Sequence, residues 1–159
     1  GKDIVAATMN VLKKYGYTQN EDKCYVQCFD PNALIRMRQE LNCKLKMVQL
    51  IGENAWSEAK TDYDAMKTTE GLRAIAEYAD GIGPWIPQVI DPQSGEPTGL
   101  IGLAKEQGLQ VHPYTMRADD LPNWAGNFNE LAEKLLYKAG ADGAVSDFPD
   151  LLVNAIRNR

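Results

Sequence analysis

The chain has 159 residues, of which 44% are hydrophobic and 25% are charged, a composition typical of a globular domain rather than of a disordered segment. Its formal net charge of -5 argues against a nucleic-acid surface, because binding to phosphate backbones requires clustered Lys and Arg. Its apolar runs are all shorter than the roughly 20 residues that a membrane-spanning helix needs. The sequence therefore predicts neither a nucleic-acid partner nor a membrane span.

Helical and strand periodicities alternate along the chain. In chain order they predict a helix over residues 2–15, a strand over 23–29, a helix over 32–41, a strand over 45–51, a helix over 70–78, a strand over 80–83, a helix over 99–107, a strand over 109–116, a helix over 129–138 and a helix over 151–158. Asp30 is a good N-cap and Pro31 suits a first helical turn, so the start of the second helix is well defined. The proline-rich stretch after residue 83 is predicted to be a long loop.

A fifth strand is predicted within residues 140–150. Gly140 and Gly143 release the preceding helix, and small and β-branched residues lead from there to Ser146 and Asp147. The last two residues would lie at the carboxyl end of the strand, which is where folds of alternating strands and helices bind ligands.

Five strands separated by helices predict an α/β fold with a parallel sheet, because parallel strands need crossover connections and the favoured crossover is a helix. Two architectures compete, a doubly wound open sheet and part of an eightfold barrel. The glycines at 81 and 83 precede Pro84 rather than the start of a helix, which argues against a dinucleotide-binding loop. Polar residues at the predicted strand ends favour the barrel; they are Gln27, Asp30, Gln49, Asp80, Thr115, Arg117 and Asp147.

Four of these strand-end strings resemble the bacterial glycerophosphodiester phosphodiesterases, particularly the periplasmic type. They are Val-Gln-Leu-Ile at 48–51, Ala-Asp-Gly-Ile-Gly-Pro at 79–84, His-Pro-Tyr-Thr-Met-Arg at 112–117 and Ser-Asp-Phe-Pro-Asp at 146–150. The opening is similar to the family's third barrel helix and fourth strand. The resemblance thus implies that residues 1–159 are the C-terminal part of a single TIM (β/α)8 barrel, comprising its last five strand-helix units, with the N-terminal strands absent from this chain.

The resemblance also implies an activity. Members of the family are metal-dependent phosphodiesterases that hydrolyse glycerophosphodiesters to an alcohol and sn-glycerol 3-phosphate. Two histidines serve as general acid and base, and carboxylates on the early strands hold a divalent cation, Ca²⁺ or Mg²⁺. All of these residues would precede Gly1, so no catalytic residue and no metal ligand is expected in this segment, which alone should be inactive.

Partners and location follow from the same resemblance. It implies a small-molecule glycerophosphodiester as substrate, a periplasmic location, and contact with the missing N-terminal barrel half or self-association. No signal peptide is visible in the chain. The alternative is a non-catalytic partial barrel that binds phosphate or glycerol or has a structural role.

Four residues are candidates for binding substrate. The resemblance implies that Phe29 packs on the glycerol carbons, with core packing as the alternative. Gln49 would either orient a substrate hydroxyl or tie neighbouring strands. Tyr114 would stack at the mouth of the pocket, and Arg117 would grip phosphate oxygens unless it is paired with Asp119 or Asp120.

Other residues have less specific roles. His112 is expected inside the barrel, Asp147 in a structural position and Trp85 on a lid or substrate wall. Cys24 and Cys43 would begin neighbouring strands, so a bridge between them is conceivable, although three free thiols are the simpler expectation.

Overall fold

The computed structural model describes residues 1–157, which fold into two compact units. The first unit ends at Ile82 and the second begins at Gly83. Helices and strands alternate in both units, which confirms the predicted α/β class.

The first unit alternates helices with parallel strands. Its elements are α1 (Ile4–Lys14), β1 (Tyr25–Cys28), α2 (Pro31–Gln39), β2 (Lys46–Ile51), a 3-10 turn (Asn54–Trp56), α3 (Tyr63–Met66) and α4 (Thr69–Ala76). Strands β1 and β2 are parallel, with Tyr25 opposite Lys46 and Cys28 opposite Gln49. The predicted start of α2 is confirmed, because the Asp30 carboxylate accepts the N–H of Asn32 at 3.0 Å and Pro31 is the first helical residue.

The core of the first unit surrounds β2. All residues of β2 after Lys46 are buried, as a parallel strand covered on both faces requires. The helices contribute fully buried side chains such as Leu34, Leu72 and Ile75. Each such side chain stabilises the fold by roughly 1.5–3 kcal/mol relative to an exposed one, so packing of these apolar faces holds the unit together.

The second unit has shorter regular elements. They are the strand β3 (Gly81–Pro84), which starts just before the boundary, α5 (Ile86–Val89), α6 (Leu100–Glu106), β4 (Gln110–Val111), α7 (Phe128–Ala132), a π-helical segment (Glu133–Lys138) that continues α7, and α8 (Pro149–Arg157). Fully buried residues of this unit include Ile90, Leu131 and Leu135. Strand β4 follows β3 in the sheet of this unit.

The prediction of a fifth strand within 140–150 is wrong for the described residues, and the fourth strand is shorter than predicted. Beyond Val111 the two segments run side by side and are joined by a few hydrogen bonds: the Val145 N–H donates to the Pro113 carbonyl at 2.9 Å, the Met116 N–H to the Val145 carbonyl at 2.8 Å and the Asp147 N–H to the Met116 carbonyl at 3.3 Å. Only one parallel bridge forms between them, from Met116 to Ser146. Pro113 has no N–H to donate, which interrupts a regular ladder at the middle of the predicted strand.

Three short helical elements are absent from the prediction. The 3-10 turn, α3 and α5 have three or four residues each, too few to show a helical period. Helix α3 instead depends on its cap, because one carboxylate oxygen of Asp62 accepts the N–H groups of Asp64 and Ala65 at 3.0 and 3.2 Å. Asn158, the end of the predicted last helix, lies outside the described residues.

Candidate functional site

An aromatic cluster of Phe29, Trp56 and Tyr63 lies beyond the carboxyl ends of β1 and β2 in the first unit. The rings of Phe29 and Tyr63 meet edge to face, with centroids 6.3 Å apart. Gly52 makes room for the cluster, since a Cβ at this position would lie 3.2–3.4 Å from all three rings. The Tyr63 hydroxyl is buried, and it has no hydrogen-bond partner among the described residues. Phe29 itself is half-buried, so the structure combines core packing with some exposure.

Gln49 is fully buried in β2, and its side-chain amide is hydrogen-bonded to other groups of the chain. Its Nε2 donates to the carbonyls of Cys28, Phe29 and Leu50 at 3.2, 3.0 and 2.9 Å. Its Oε1 accepts from the Tyr78 hydroxyl at 2.9 Å. These bonds match the alternative in which Gln49 ties neighbouring strands, and they fix the backbone that carries Phe29.

In the second unit, Trp85 and Tyr114 lie at two neighbouring strand ends. A parallel bridge pairs the two residues, and the Tyr114 N–H donates to the Pro84 carbonyl at 3.0 Å. Trp85 is exposed and Tyr114 is half-buried. The geometry therefore places two aromatic side chains at the carboxyl edge of this part of the sheet, where ligands bind in folds of this class.

Arg117 follows Tyr114 and is held by carboxylates. Its Nε and Nη2 donate to the two oxygens of Asp119 at 3.1 and 2.8 Å, and its Nη1 lies 3.5 Å from Asp147. The hydrogen bond to Asp119 raises the pKa of Arg117 and lowers the pKa of Asp119. The predicted ion pair with Asp119 is thus present. The guanidinium side chain is still 44% exposed, which leaves it accessible to an anion.

His112 and Ser146 are half-buried in the same unit. The backbone at Gly143 passes so close to the His112 imidazole that a Cβ there would lie 3.2 Å from its Cδ2. Ser146 donates its hydroxyl hydrogen to the Met116 carbonyl at 2.9 Å and accepts the Phe148 N–H at 3.0 Å. Ser146 therefore has a structural role at the end of the segment predicted as the fifth strand.

Asp80 was expected among the strand-end residues, but it lies at the opposite, amino end of β3. Its Oδ2 accepts the Met47 N–H at 2.8 Å and pairs with the Arg38 guanidinium at 2.7 Å. Asp142 makes the same arrangement in the second unit, where it accepts the Val111 N–H at 2.9 Å and pairs with Lys105 at 3.2 Å. Each aspartate stands in an Ala-Asp-Gly tripeptide, at 79–81 and at 141–143, and this repetition is the sequence signal for the shared role.

The comparison with known families decides where the chain belongs. Residues 1–151 match the model of the glycerophosphoryl diester phosphodiesterase family. The chain belongs to this family. The resemblance inferred from the four strand-end strings is confirmed at this level.

Relatives support the same assignment. A glycerophosphodiester phosphodiesterase of Haemophilus influenzae is 36% identical to the chain over 99% of its residues, and one of Treponema pallidum is 33% identical over 95%. The chain covers 48% of each of these proteins, so it spans about half the length of the curated relatives it matches.

A solved structure supports the fold. A crystal structure of a Silicibacter pomeroyi protein assigned to the glycerophosphoryl diester phosphodiesterases matches 98% of this chain and 44% of its own, with a TM-score of 0.67 at 21% identity. The likeness confirms the predicted fold class, an α/β chain with a TIM-barrel-like neighbour.

The described part of this family member does not fit a metal centre. Within residues 1–157 no group of three or more His, Cys, Asp or Glu side chains is arranged to hold a metal ion. Among the same residues, Cys24, Cys28 and Cys43 are free thiols. No helix within residues 1–157 is long and apolar enough to cross a membrane. The predicted divalent cation, with ligands upstream of Gly1, stays a prediction.

Proposed function

We propose that this chain is the C-terminal part of a single TIM barrel in a metal-dependent, periplasmic glycerophosphodiester phosphodiesterase. The whole enzyme would hydrolyse glycerophosphodiesters to an alcohol and sn-glycerol 3-phosphate. The family match over residues 1–151 carries this proposal. The two histidines and the cation ligands would lie in the other part of the barrel, since the chain has a single histidine.

The second unit would contribute part of the pocket rim. Trp85 and Tyr114 offer aromatic surface for the carbon atoms of a bound diester, and both lie at the carboxyl edge of the sheet. The exposed Arg117 guanidinium would donate to the phosphate oxygens. Because Asp119 already accepts from Nε and Nη2, a phosphodiester would displace this carboxylate or use the Nη1 edge that faces Asp147.

The first unit supports a separate contact with the glycerol moiety. Phe29 supplies apolar surface, and the Tyr63 hydroxyl, which has no hydrogen-bond partner in the described part of the chain, lies in the same aromatic cluster. A buried hydroxyl without a partner is costly, so a polar ligand group or a water that reaches it would stabilise the cluster. Gln49 would act by holding the Phe29 backbone rather than by touching substrate.

The proposed partner is the other half of the barrel. In the first unit, α1 buries Met9 but exposes Ile4, Val11 and Tyr15 by 73%, 55% and 69%. These three residues follow a helical spacing and form one stripe, which we call the outer stripe of α1. In the second unit, none of the described residues of α8 is buried. The relatives have a further polypeptide of about the same length, and this polypeptide would cover both helices.

The test is the activity of the protein that contains this chain, measured with glycerophosphocholine and a divalent cation. Arg117→Met should raise KM about 10-fold to 100-fold, because a charge-assisted hydrogen bond contributes roughly 1.5–3 kcal/mol. Arg73→Met on the exposed face of α4 is the matched control and should leave KM unchanged. Absence of diester hydrolysis in the unaltered protein would support the non-catalytic alternative, and an unchanged KM in Arg117→Met would remove Arg117 from the site.

A further inference from the structure

The second unit contains a compact loop over residues 91–97, between α5 and α6. One carboxylate oxygen of Asp91 accepts the N–H groups of Gln93 and Ser94 and the Ser94 hydroxyl, at 3.1, 2.7 and 2.8 Å. The Gly95 N–H donates to the Asp91 carbonyl at 2.8 Å. The Ser94 N–H lowers the pKa of Asp91, so the carboxylate is ionised at neutral pH. The loop therefore has a defined shape of its own.

Lys134 links this loop to the loop that precedes α7, and we call this contact the clamp. Its ammonium group donates to the Gly95 carbonyl at 2.7 Å and lies over the Trp124 ring, 5.1 Å from the ring centroid. Trp124 belongs to the loop before α7, whereas Lys134 lies in the π-helical segment that follows α7. One side chain thus holds two loops that are distant in sequence.

Gly95 is required for this arrangement. Its φ of +68° is in the left-handed region, which favours glycine. A Cβ at this position would lie 2.6 Å from the Lys134 Nζ and 2.8 Å from the Trp124 Cβ. Any larger residue would therefore push the loop away from both partners of the clamp.

Both clamped loops follow strands at the carboxyl edge of the sheet. The 91–97 loop comes after β3 and Trp85, and the Trp124 loop comes after Tyr114 and Arg117. We propose that Lys134 is a positioning residue that fixes the 91–97 loop as a rigid wall for the alcohol head group of the diester, and so sets selectivity between head groups. This role rests on the proposed function, because only a phosphodiesterase substrate would bring a head group to this edge.

The experiment compares three variants in the protein that contains this chain. Lys134→Met removes the charge and the hydrogen bond, Lys134→Arg keeps a cation and donors, and Gly95→Ala expels the loop without removing the cation. Gly99→Ala is the matched control, since Gly99 also has positive φ but a Cβ there would meet nothing within 4 Å. Two properties are measured for each: hydrogen exchange of the 91–97 amides, and kcat and KM for glycerophosphocholine and glycerophosphoglycerol.

Lys134→Met and Gly95→Ala should speed exchange of the loop about tenfold or more and change the ratio of kcat/KM between the two diesters at least about fivefold, through KM rather than kcat. Lys134→Arg and Gly99→Ala should retain both properties. If hydrogen exchange of the 91–97 amides is unchanged in Lys134→Met, the proposed clamp is wrong. This result can be obtained even if no diester is hydrolysed. Faster exchange with an unchanged ratio in an active enzyme would overturn the role in selectivity.

Discussion

Tyr78 shows how burial changes the chemistry of a single side chain. Its hydroxyl donates to Gln49 at 2.9 Å, and burial raises the pKa of Tyr78 to about 12. The ordinary tyrosine pKa of about 10 applies in the unfolded chain, so the folded state holds this proton more tightly. The resulting stabilisation is complete below pH 10 and is lost as the pH rises through about 12.

Tyr78→Phe tests this linkage. The variant leaves the Gln49 Oε1 without its donor, so the free energy of unfolding should fall by roughly 1–3 kcal/mol at pH 7. Between pH 10 and 12 its stability should decline less steeply than that of the unaltered protein, whose Tyr78 contributes about 2–3 kcal/mol of pH dependence. Urea unfolding at pH 7, 9 and 11 measures both effects. Tyr15→Phe, at an exposed position, is the control, and equal slopes for all three proteins would contradict the assignment.

Helices α4 and α6 each contain an internal glycine, and they differ in the space available for a side chain at that position. In α4, a Cβ at Gly71 would lie 2.1 Å from the Ala65 carbonyl oxygen, because the backbone at the end of α3 lies against the helix there. In α6, a Cβ at Gly102 would meet nothing within 4 Å. The same substitution should therefore have opposite effects in the two elements.

Gly71→Ala should destabilise the protein by about 1–3 kcal/mol or more, since backbone must move to relieve the overlap. Gly102→Ala should stabilise it by roughly 0.5–1 kcal/mol, because alanine loses less backbone entropy on forming a helix. Thermal unfolding monitored by circular dichroism compares the pair. A loss of stability in both variants would show that helix geometry at Gly102 is also constrained.

At the scale of the whole molecule, the proposed second polypeptide would cover apolar residues that are exposed in the outer stripe of α1 and in α8. We expect the isolated chain to self-associate, and to form a cooperatively folded heterodimer when it is co-expressed with a polypeptide that supplies the rest of the barrel. Val11→Glu should weaken this heterodimer about tenfold or more, because it places a charge against apolar surface.

Sedimentation velocity of the chain with and without the second polypeptide measures this association. Asn10→Glu adds the same charge beside the stripe and should bind as the unaltered chain does. A cooperatively folded monomer of the chain alone would contradict the expectation.

Local sequence determined much of the architecture. Asp30 and Pro31 define the start of α2, and the apolar run that becomes β2 predicts a strand buried on both faces. Capping and periodicity act over a few residues, so they can be recognised in the sequence without knowledge of the fold. The strand-end strings were likewise sufficient to indicate the family and the fold class that the comparisons confirm.

Only the tertiary structure decided how the candidate side chains are used. The sequence left Gln49 and Arg117 with two uses each. The side chain of Gln49 is hydrogen-bonded to Tyr78, about 30 residues away, and Arg117 lies near Asp147, about 30 residues away, in addition to its local pair with Asp119. The same holds for the interrupted pairing at Pro113 and for Lys134, which neither period nor motif singled out. Hydrogen bonds and ion pairs depend on which distant groups the fold brings within about 3 Å, and no local pattern encodes that distance.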